Sequence, residues 1–186
     1  LAFKNIWIQP AAGDAGGALG SALSVWHKEL NNKRIVEADD SMQGSYLGPA
    51  YSKVSIENEL SVCGANYITV SDKNIIEQTA HALAEGKAIG WFQGRMEFGP
   101  RSLGGRSILG DPRSENMQKT LNLKVKYRES FRPFAPSVLR SDISDWFEAD
   151  YDSPYMLFVG KIKKDKLIKM NKEEESLFGI DKLNVK

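Results

Sequence analysis

Residues 89–113 read IGWFQGRMEFGPRSLGGRSILGDPR, an apolar strand that runs into a loop rich in glycine and arginine. Glycine lets the backbone turn tightly and approach a ligand, and the planar guanidinium of arginine matches pairs of phosphate or carboxylate oxygens. Their interleaving predicts a pocket for a compact polyanion, such as a nucleotide phosphate or an acyl phosphate.

The positive charge of the chain is concentrated around this loop. Residues 89–140 hold ten Lys/Arg against four Asp/Glu, a balance of +6, whereas the whole chain carries only +1, which leaves −5 for all other residues. A nucleic-acid track usually requires a strongly basic domain, so a local basic patch on a near-neutral chain favours a confined anionic ligand.

Composition places the chain among ordinary folded proteins. Of its 186 residues, 41% are apolar and 26% charged, enough for one core or for one domain with part of another. The lone Cys63 excludes an internal disulfide and a thiolate zinc site, which fits a reducing cytoplasm. Without a long apolar run or a leader pattern, we expect a cytoplasmic protein with no membrane partner. Because the chain starts at Leu1 and ends in a charged segment, we expect a fragment of a longer protein.

The amino-terminal pattern is strand, glycine-rich turn and helix. Residues 3–10 are β-branched and aromatic at their centre, and apolar residues at helical spacing predict a helix over 17–30 with one apolar stripe packed on a core. Asp14 lies in the turn between them. One interpretation is that Asp14 only caps the helix. The other is that the glycines, the helix start and the carboxylate hold a phosphate together with a metal ion.

The middle of the chain predicts alternating helices and strands, and therefore an α/β (α+β) fold. Residues 31–45 are polar and of mixed charge, which predicts a linker that ends at a domain boundary. The elements predicted after it are a turn at 46–52, a helix at 54–62, a strand at 66–70, a helix from an Asp72 cap to Gly86, and a strand at 88–92.

After the loop, the pattern predicts a helix over 114–123 and then a basic segment. Lys124, Lys126 and Arg128 occupy alternate positions, so an extended backbone would point all three to one side. A solvated edge strand is the alternative. The apolar residues 133–139 favour burial next to this segment. The elements predicted beyond it are a short helix within 142–150, a buried strand at 155–159 and a mobile surface tail after Gly160.

Three motifs in this order resemble a known family. They are residues 13–23 (GDAGGALGSAL), residues 94–104 with 106–109 (GRMEFGPRSLG and RSIL), and residues 131–137 (FRPFAPS). Together they resemble the O-carbamoyltransferases of antibiotic tailoring and nodulation-factor synthesis, over about residues 6–159.

The resemblance implies a two-part architecture. In that family a domain similar to Kae1, of the actin-like ATPase superfamily, precedes a YrdC-like domain, which is an open twisted mixed sheet with flanking helices. Residues 1–45 would then be the last strand and helix of the Kae1-like domain with its linker. Residues 46–186 would be an incomplete YrdC-like carbamoyltransferase C-terminal domain.

The resemblance also implies a reaction. The YrdC-like part would form carbamoyl adenylate from carbamoyl phosphate and ATP, and the Kae1-like part would transfer the carbamoyl group to a hydroxyl of a sugar or antibiotic-like molecule. The implied cofactors are ATP and a divalent metal, Fe or Mg. Clustered arginine and lysine suit this chemistry because fixed cations stabilise charge that develops at phosphorus.

Individual roles follow from the same resemblance. The catalytic cations, expected to surround one pocket, are Arg101, Lys126 and Arg132, and the metal-binding residue is Asp14. Arg95 and Glu97 are expected to form a structural pair that fixes the loop. The expected substrate- or nucleotide-binding residues are Gly16, Gly17, Arg106, Lys124, Arg128 and Ser137.

The chain departs from the family pattern in two ways. Ser102 and Gly105 stand where the family often has alanine and asparagine. We also expect the family's paired metal-binding histidines to lie before Leu1, and a segment with histidine, Asp-Gly and arginine to follow Lys186. We therefore expect the 186-residue chain alone to be inactive in carbamoyl transfer and to bind metal poorly.

Two other functions compete with this one. YrdC-like domains have a basic concave face, and Trp91, Phe92, Phe98 and Tyr127 lie among the cations, which suggests an RNA-binding module. Aromatic side chains must be exposed to stack on bases, and the strand around Trp91 and Phe92 is expected to be core. The remaining alternative is threonylcarbamoyl-adenylate synthesis for tRNA modification.

Overall fold

In the described residues three α-helices precede a two-stranded hairpin and four short α-helices follow it, which makes this a small mixed α/β protein. The computed structural model describes residues 6–183 and residue 185. In chain order its α-helices and strands are α1 (Asp14–Ser24), α2 (Lys53–Val62), α3 (Asp72–Ala84), β1 (Ile89–Phe92), β2 (Arg106–Leu109), α4 (Met117–Thr120), α5 (Ile143–Trp146), α6 (Lys172–Ser176) and α7 (Ile180–Leu183).

Packing divides the described residues into two compact units. The first unit holds residues up to Thr69, then Gly90–Ser107 and Pro154–Leu157. The second holds Val70–Ile89, Ile108–Ser153 and the residues from Phe158 onward. None of the boundaries between these units falls at residue 45, but compact units are defined by packing, so the predicted domain boundary there stays a prediction.

Helix α1 confirms the helix predicted over residues 17–30. It begins earlier, at Asp14, and continues as a π-helical turn over Val25–Glu29. Its apolar stripe was expected to pack on a core, but Leu23, Trp26 and Leu30 are all exposed. Within the part of the chain that the structure describes, that expectation is wrong.

The two strands pair with each other and confirm one of the predicted strands. β1 matches the strand predicted at 88–92, and β2 forms from residues that the sequence assigned to the loop. The Gln93 N–H donates to Gly105 O at 2.9 Å, just inside the loop that joins the strands. The hairpin thus fixes both ends of the arginine-rich loop.

Predictions of three further strands are not borne out. The described part of the first, residues 6–10, is irregular and enters a turn at Pro10, while residues 1–5 lie outside the described residues. Residues 66–70 and 155–159 also form no strand, so the predicted strand–helix–strand unit is wrong. A strand needs a neighbour to satisfy its backbone, and among residues 6–183 none pairs with these segments.

Helix α3 has the predicted extent but a different cap. The Ser71 side chain accepts a hydrogen bond from Asn74 N at 3.3 Å, so Ser71, and not Asp72, is the N-cap. Gly86 has a φ of 79° just beyond the helix end, as predicted. Asp72 occupies the first turn, where its charge complements the helix dipole.

The small core of the second unit lies behind α4. Met117 and Leu121 are buried, and a Cβ on Gly110 would lie 2.8 Å from Met117 Cγ. The helix predicted over 114–123 is observed as α4 followed by a π-helical turn, Leu121–Val125. Lys124 therefore lies in a helical turn, and the prediction that residues 124–128 are extended is wrong.

Side chains after residue 132 are more exposed to solvent than predicted. Residues 133–139 were expected to be buried, but Phe134 is exposed and Leu139 is 71% exposed. Helix α5 confirms the short helix predicted within 142–150. An antiparallel bridge joins Phe147 to Ile162, and Gly160 packs against the Phe147 ring.

Candidate functional site

Glu97 is the internal anchor of the loop between the two strands. Its side chain is completely buried. One carboxylate oxygen accepts hydrogen bonds from Leu103 N and Gly105 N, both at 2.7 Å, and the other accepts from Arg106 Nε at 3.0 Å. A single carboxylate therefore closes residues 97–106 into a defined loop.

The arginine that pairs with Glu97 is not the expected one. Arg106 makes the ion pair and also donates from Nη2 to Gly99 O at 2.6 Å. Arg95 instead donates from Nη1 to Gly48 O at 2.6 Å. The predicted Arg95–Glu97 pair is therefore wrong. The ligand-binding role predicted for Arg106 stays a prediction, and its guanidinium already supports the loop.

Hydrogen bonds keep Glu97 ionised despite its burial. Burial by itself raises the pKa of a carboxyl group, but the Leu103 and Gly105 amides and the Arg106 guanidinium favour the charged form. The net result is a pKa below the usual value of 4.5. At neutral pH the loop is thus built on an ion pair between a buried carboxylate and a partly exposed guanidinium.

Residues 45–48, predicted to end the linker and begin a turn, form the support for this loop. The Phe98 N–H donates to Ser45 O at 2.6 Å, and the Tyr46 hydroxyl donates to Leu103 O at 2.6 Å. The Gly48 N–H donates to Met96 O at 2.9 Å. These bonds hold the loop along its length.

Gly99 brings the same loop against the turn that precedes α1. Its φ is 95°, and a Cβ there would lie 2.7 Å from the Cβ of Ala11. Gly16 packs on the other side of that residue, since its N–H donates to Ala11 O at 2.7 Å and a Cβ would lie 2.5 Å from that oxygen. Both glycines are therefore required by close contact with Ala11, Gly99 with its Cβ and Gly16 with its carbonyl oxygen.

The loop and the turn enclose a hollow of about 250 Å³, called the Arg101 hollow below. Arg101 is its charged lining residue, and its exposed guanidinium makes no hydrogen bond or ion pair with any described residue. The lining consists of Ala11, Ala12, Gly13, Ser45, Phe98, Pro100, Arg101, Leu103, Tyr155, Met156 and Leu157. An unpaired cation beside an apolar wall is suited to holding one small anion.

Asp14 lies next to this hollow as the first residue of α1. The N-cap is Gly13, which has no side chain to cap the helix, and Asp14 is exposed in the first turn. Gly17 is open, since a Cβ there would meet nothing within 4 Å. Among residues 6–183 and 185, no three His, Cys, Asp or Glu side chains cluster closely enough to hold a metal ion. The described residues therefore do not form a complete metal site.

The predicted cations beyond residue 107 belong to the second unit. Lys124 and Lys126 are exposed, and their side chains have no partner in the described part of the chain. Arg132 lies 3.8 Å from Glu129 in an exposed ion pair, which is weak because water screens it. Ser137, which was expected to be buried, is exposed. The roles predicted for these residues stay predictions.

Asn122 holds this basic segment together, and the sequence analysis did not predict that role. It is fully buried, and its side-chain amide donates to Ser130 O at 3.0 Å and to Arg132 O at 2.8 Å. Its Oδ1 accepts from Arg128 Nε at 2.6 Å, while the Arg128 guanidinium stacks 4.7 Å above the Phe134 ring. The sequence pattern that could have identified Asn122 is a polar residue between two leucines, Leu121 and Leu123.

The sequence also gave no reason to connect Asp40 with Tyr155. The Tyr155 hydroxyl donates a short hydrogen bond to Asp40 Oδ2 and accepts one from Gly44 N at 3.0 Å. Burial and this bond raise the pKa of Tyr155 to about 12. The same bond, helped by the Gly44 and Met42 amides, lowers the pKa of Asp40. Tyr155 thus stays neutral beside a charged Asp40.

A larger and shallower hollow of about 720 Å³ lies beside the end of α1. Its lining includes His27, whose Nδ1 lies 2.9 Å from Asn32 O, as well as Lys28 and Arg34. None of the predicted site residues lines it. The Arg101 hollow is therefore the better candidate.

Comparison with known proteins places the chain in a family. The family described as Carbamoyltransferase C-terminus matches residues 80–177, which is more than half of the chain.

Within the part that the structure describes, no helix combines the length and the apolar character needed to cross a lipid bilayer.

Three relatives illustrate the range of similarity. An uncharacterized protein of Synechocystis is 58% identical over 98% of this chain and 30% of its own length. Nodulation protein NolNO of Sinorhizobium fredii is 42% identical over 88% of this chain and 24% of its own length. The 3'-hydroxymethylcephem-O-carbamoyltransferase of Amycolatopsis lactamdurans is 28% identical over 87% of this chain and 28% of its own length. The chain spans less than a third of each of these relatives, and it belongs to the carbamoyltransferase family.

Proposed function

We propose that the chain is part of an O-carbamoyltransferase that activates carbamoyl phosphate with ATP and passes the carbamoyl group to a hydroxyl. Carbamoyl phosphate and water give carbamate and inorganic phosphate. A carbamate oxygen then attacks the α-phosphorus of ATP, and pyrophosphate leaves. The acceptor hydroxyl attacks the carbonyl carbon of carbamoyl adenylate, releasing AMP and a proton. Family membership and the named cephem O-carbamoyltransferase support this reaction class.

One observation carries the proposal for this chain. Arg101 extends from a loop that the Glu97–Arg106 ion pair and three backbone amides hold in place, and its guanidinium has no partner among the described residues. A fixed cation that needs no reorganisation stabilises charge developing on phosphate oxygens. We assign the binding of a phosphate or carbamoyl-phosphate oxygen to Arg101.

Lys126 and Arg132 are proposed as further cations for the same chemistry. Both are exposed, and the backbone on either side of them is held by the buried Asn122. Asn122 O accepts from Arg128 N at 3.0 Å, and Lys126 N donates to Leu121 O at 2.9 Å. These bonds limit the motion of the two side chains at their roots, as a charge-stabilising site requires.

The residues at the start of α1 are proposed to contact the nucleotide. The positive end of the helix dipole attracts phosphate, and the bare surface at Gly17 leaves space for it, although the Gly16 and Gly17 N–H groups already donate to backbone carbonyls. Asp14 is proposed as one metal ligand, for Mg or Fe, in the complete protein. Because the described residues supply no cluster of ligands, we assign no step to a metal.

The test is ATP–pyrophosphate exchange by the full-length protein. Exchange should require carbamoyl phosphate, and Arg101→Ala should reduce it by about a hundredfold, as the loss of one charge-stabilising group does elsewhere. Lys126→Ala and Arg132→Ala should also reduce it. Arg34→Ala is the matched control, because Arg34 is an exposed arginine of the larger hollow. Loss of exchange in Arg34→Ala but not in Arg101→Ala would place the anion-binding site at the larger hollow instead.

A second candidate function, RNA binding, is favoured by one observation. Tyr127 is 86% exposed between Lys126 and Arg128, and Phe92, which was expected to be core, is 51% exposed. Exposed aromatics beside cations can stack on bases. Salt-dependent binding of mixed RNA, tighter than binding of ATP, would support this function against ours.

The third candidate, threonylcarbamoyl-adenylate synthesis, is separated by the acyl source. Bicarbonate with threonine should not replace carbamoyl phosphate in the exchange reaction. If it does, the substrate assignment is wrong. The 186-residue chain alone should complete no transfer, and carbamoylated product formed by it would overturn that expectation.

A further inference from the structure

We infer that Asp40 and Tyr155 are positioning residues that hold one wall of the Arg101 hollow in place for the anion bound by Arg101. The inference rests on the proposed function and deepens it. Neither residue needs to touch the anion.

The wall is a short segment that comes from far along the chain. Tyr155, Met156 and Leu157 all line the hollow. The other described parts of the first unit lie much earlier in the chain, up to Thr69 and within Gly90–Ser107. The Tyr155 hydroxyl reaches Asp40, 115 positions earlier, and accepts from Gly44 N at 3.0 Å. These side-chain bonds tie the wall segment to residues 40–44.

The wall also needs an anchor because its backbone is strained. Met156 has a φ of 54°, a left-handed conformation that costs about 1 kcal/mol or more for a residue with a Cβ. Such a conformation persists only where neighbouring contacts impose it. The bonds at Tyr155 lie next to this residue and supply the constraint.

The anchor reaches the Arg101 loop through a continuous set of bonds. Asp40 fixes the turn that leads to Ser45 by accepting from Met42 N at 3.0 Å and from Gly44 N at 3.2 Å. Ser45 is buried, and its carbonyl accepts from Phe98 N at 2.6 Å, three residues before Arg101. One turn therefore holds both the wall and the loop.

These bonds keep the Asp40 carboxylate from competing with the anion for Arg101. Its carboxylate already accepts from the Tyr155 hydroxyl and two backbone amides. Met156, Leu157 and Phe98 meanwhile keep one side of the hollow apolar. A charge–charge contact strengthens when water is excluded from its surroundings, so a fixed wall should tighten the grip of Arg101 on a small anion.

The experiment measures pyrophosphate exchange by the full-length protein against carbamoyl phosphate concentration. Tyr155→Phe and Asp40→Ala should raise KM for carbamoyl phosphate about tenfold while kcat stays within about twofold, because a hydrogen bond to a charged group is lost. Asp40→Asn keeps an acceptor and should have a smaller effect. Tyr51→Phe is the matched control, since Tyr51 is 56% exposed and has no side-chain partner in the described residues. In the Arg101→Ala background, Tyr155→Phe should add little.

The outcomes separate this inference from the proposed function. Absence of carbamoyl-phosphate-dependent exchange in the wild type contradicts the proposed function. Normal exchange with an unchanged KM in Tyr155→Phe, or a KM effect that adds fully to that of Arg101→Ala, overturns the inference alone. Hydrogen exchange reads the wall without activity: amides of residues 98–103 and 155–157 should exchange faster in Tyr155→Phe and Asp40→Ala. Unchanged protection in both variants would also overturn it.

Discussion

Glu97 carries its negative charge where the side chain has no contact with solvent. Its three donors are two backbone amides and the Arg106 guanidinium, so its charge is satisfied inside the loop. Removal of one partner from a buried ion pair usually costs more than the pair contributes, because the other charge is left without compensation. The loop should therefore depend strongly on this one carboxylate.

We predict that Glu97→Gln lowers the free energy of unfolding by about 3 kcal/mol, because Arg106 loses its counter-charge. Urea unfolding of the full-length protein, followed by a probe in this region, measures the change. Glu59→Gln, an exposed residue of α2, should change it by less than about 0.5 kcal/mol. Equal effects of the two substitutions would show that the ion pair carries no special weight.

The same carboxylate predicts a dependence of stability on pH. The pKa of Glu97 in the folded protein lies below its unfolded value, so its contribution is present at neutral pH and is lost as the pH falls through the folded pKa. Unfolding free energy should fall as pH drops below about 4.5, the unperturbed value. In Glu97→Gln the decline should be shallower. Parallel pH profiles of wild type and variant would contradict the assignment.

Sequence reasoning at the residue level found the loop but not all its internal contacts. It expected a structural arginine beside Glu97 and chose Arg95, two residues away, because spacing along the chain was the only guide. The fold instead turns back at Gly99 and Gly104, both at positive φ, and brings Arg106 to Glu97. Asn122 was missed for the same reason, since its partners at 130 and 132 follow a turn that no local pattern announces.

At the scale of elements, α3 shows which sequence signals hold. Its length and its end before Gly86 follow from helical spacing and from the φ that glycine permits. The choice between Ser71 and Asp72 as cap was decided by backbone geometry, since Ser71 is extended and accepts from Asn74 N. Serine and aspartate are both common N-cap residues, so the sequence alone could not decide which of the two neighbours caps the helix.

We predict that Ser71→Ala destabilises α3 by about 1 kcal/mol, the usual cost of a lost N-cap. Asp72→Asn should cost about 0.5 kcal/mol, because only the interaction with the helix dipole is weakened. Hydrogen exchange of the α3 amides measures both values on the same helix. If Asp72→Asn costs more than Ser71→Ala, the cap has been assigned to the wrong residue.

Strands were the least predictable elements. Residues 66–70 and 155–159 have the composition of strands, yet Ile68 is 79% exposed and Val159 is 94% exposed. Strand preference reflects packing against neighbours more than the backbone itself, so composition alone cannot supply the missing partner. β1 succeeded as a prediction because the chain returns to it as β2 within the same hairpin.

For the whole molecule, a large share of the apolar side chains in the described residues is in contact with solvent. The buried apolar side chains identified there are Met117 and Leu121, whereas Trp7, Trp26 and Trp146 are 77%, 52% and 51% exposed. Burial of apolar surface is the main source of folding free energy. The composition of 41% apolar residues predicted an ordinary core, and the described residues build only a small one.

We predict that tryptophan emission of the 186-residue chain lies close to that of tryptophan in water, because three of its four indoles are exposed. A soluble quencher such as acrylamide should quench most of the emission. Trp91→Phe should shift the remaining emission slightly further towards that of tryptophan in water, since Trp91 is the half-buried one. A blue-shifted, poorly quenched emission would show that these side chains are covered in solution.

Charge at this scale was predicted in total but not in detail. The surplus of +6 over residues 89–140 drew attention to the loop between β1 and β2. Two arginines of residues 89–140, Arg106 and Arg128, nevertheless form internal hydrogen bonds to Glu97 and Asn122. Sequence alone cannot distinguish a guanidinium that supports the fold from one that stays free, because the difference lies in contacts made after folding.

Titration calorimetry of the full-length protein with carbamoyl phosphate measures whether Arg101 binds the small anion. Arg101→Ala should weaken binding at least about tenfold, as expected for the loss of a charge-assisted hydrogen bond. Arg34→Ala should bind as the wild type does. Wild-type affinity in Arg101→Ala would contradict the account.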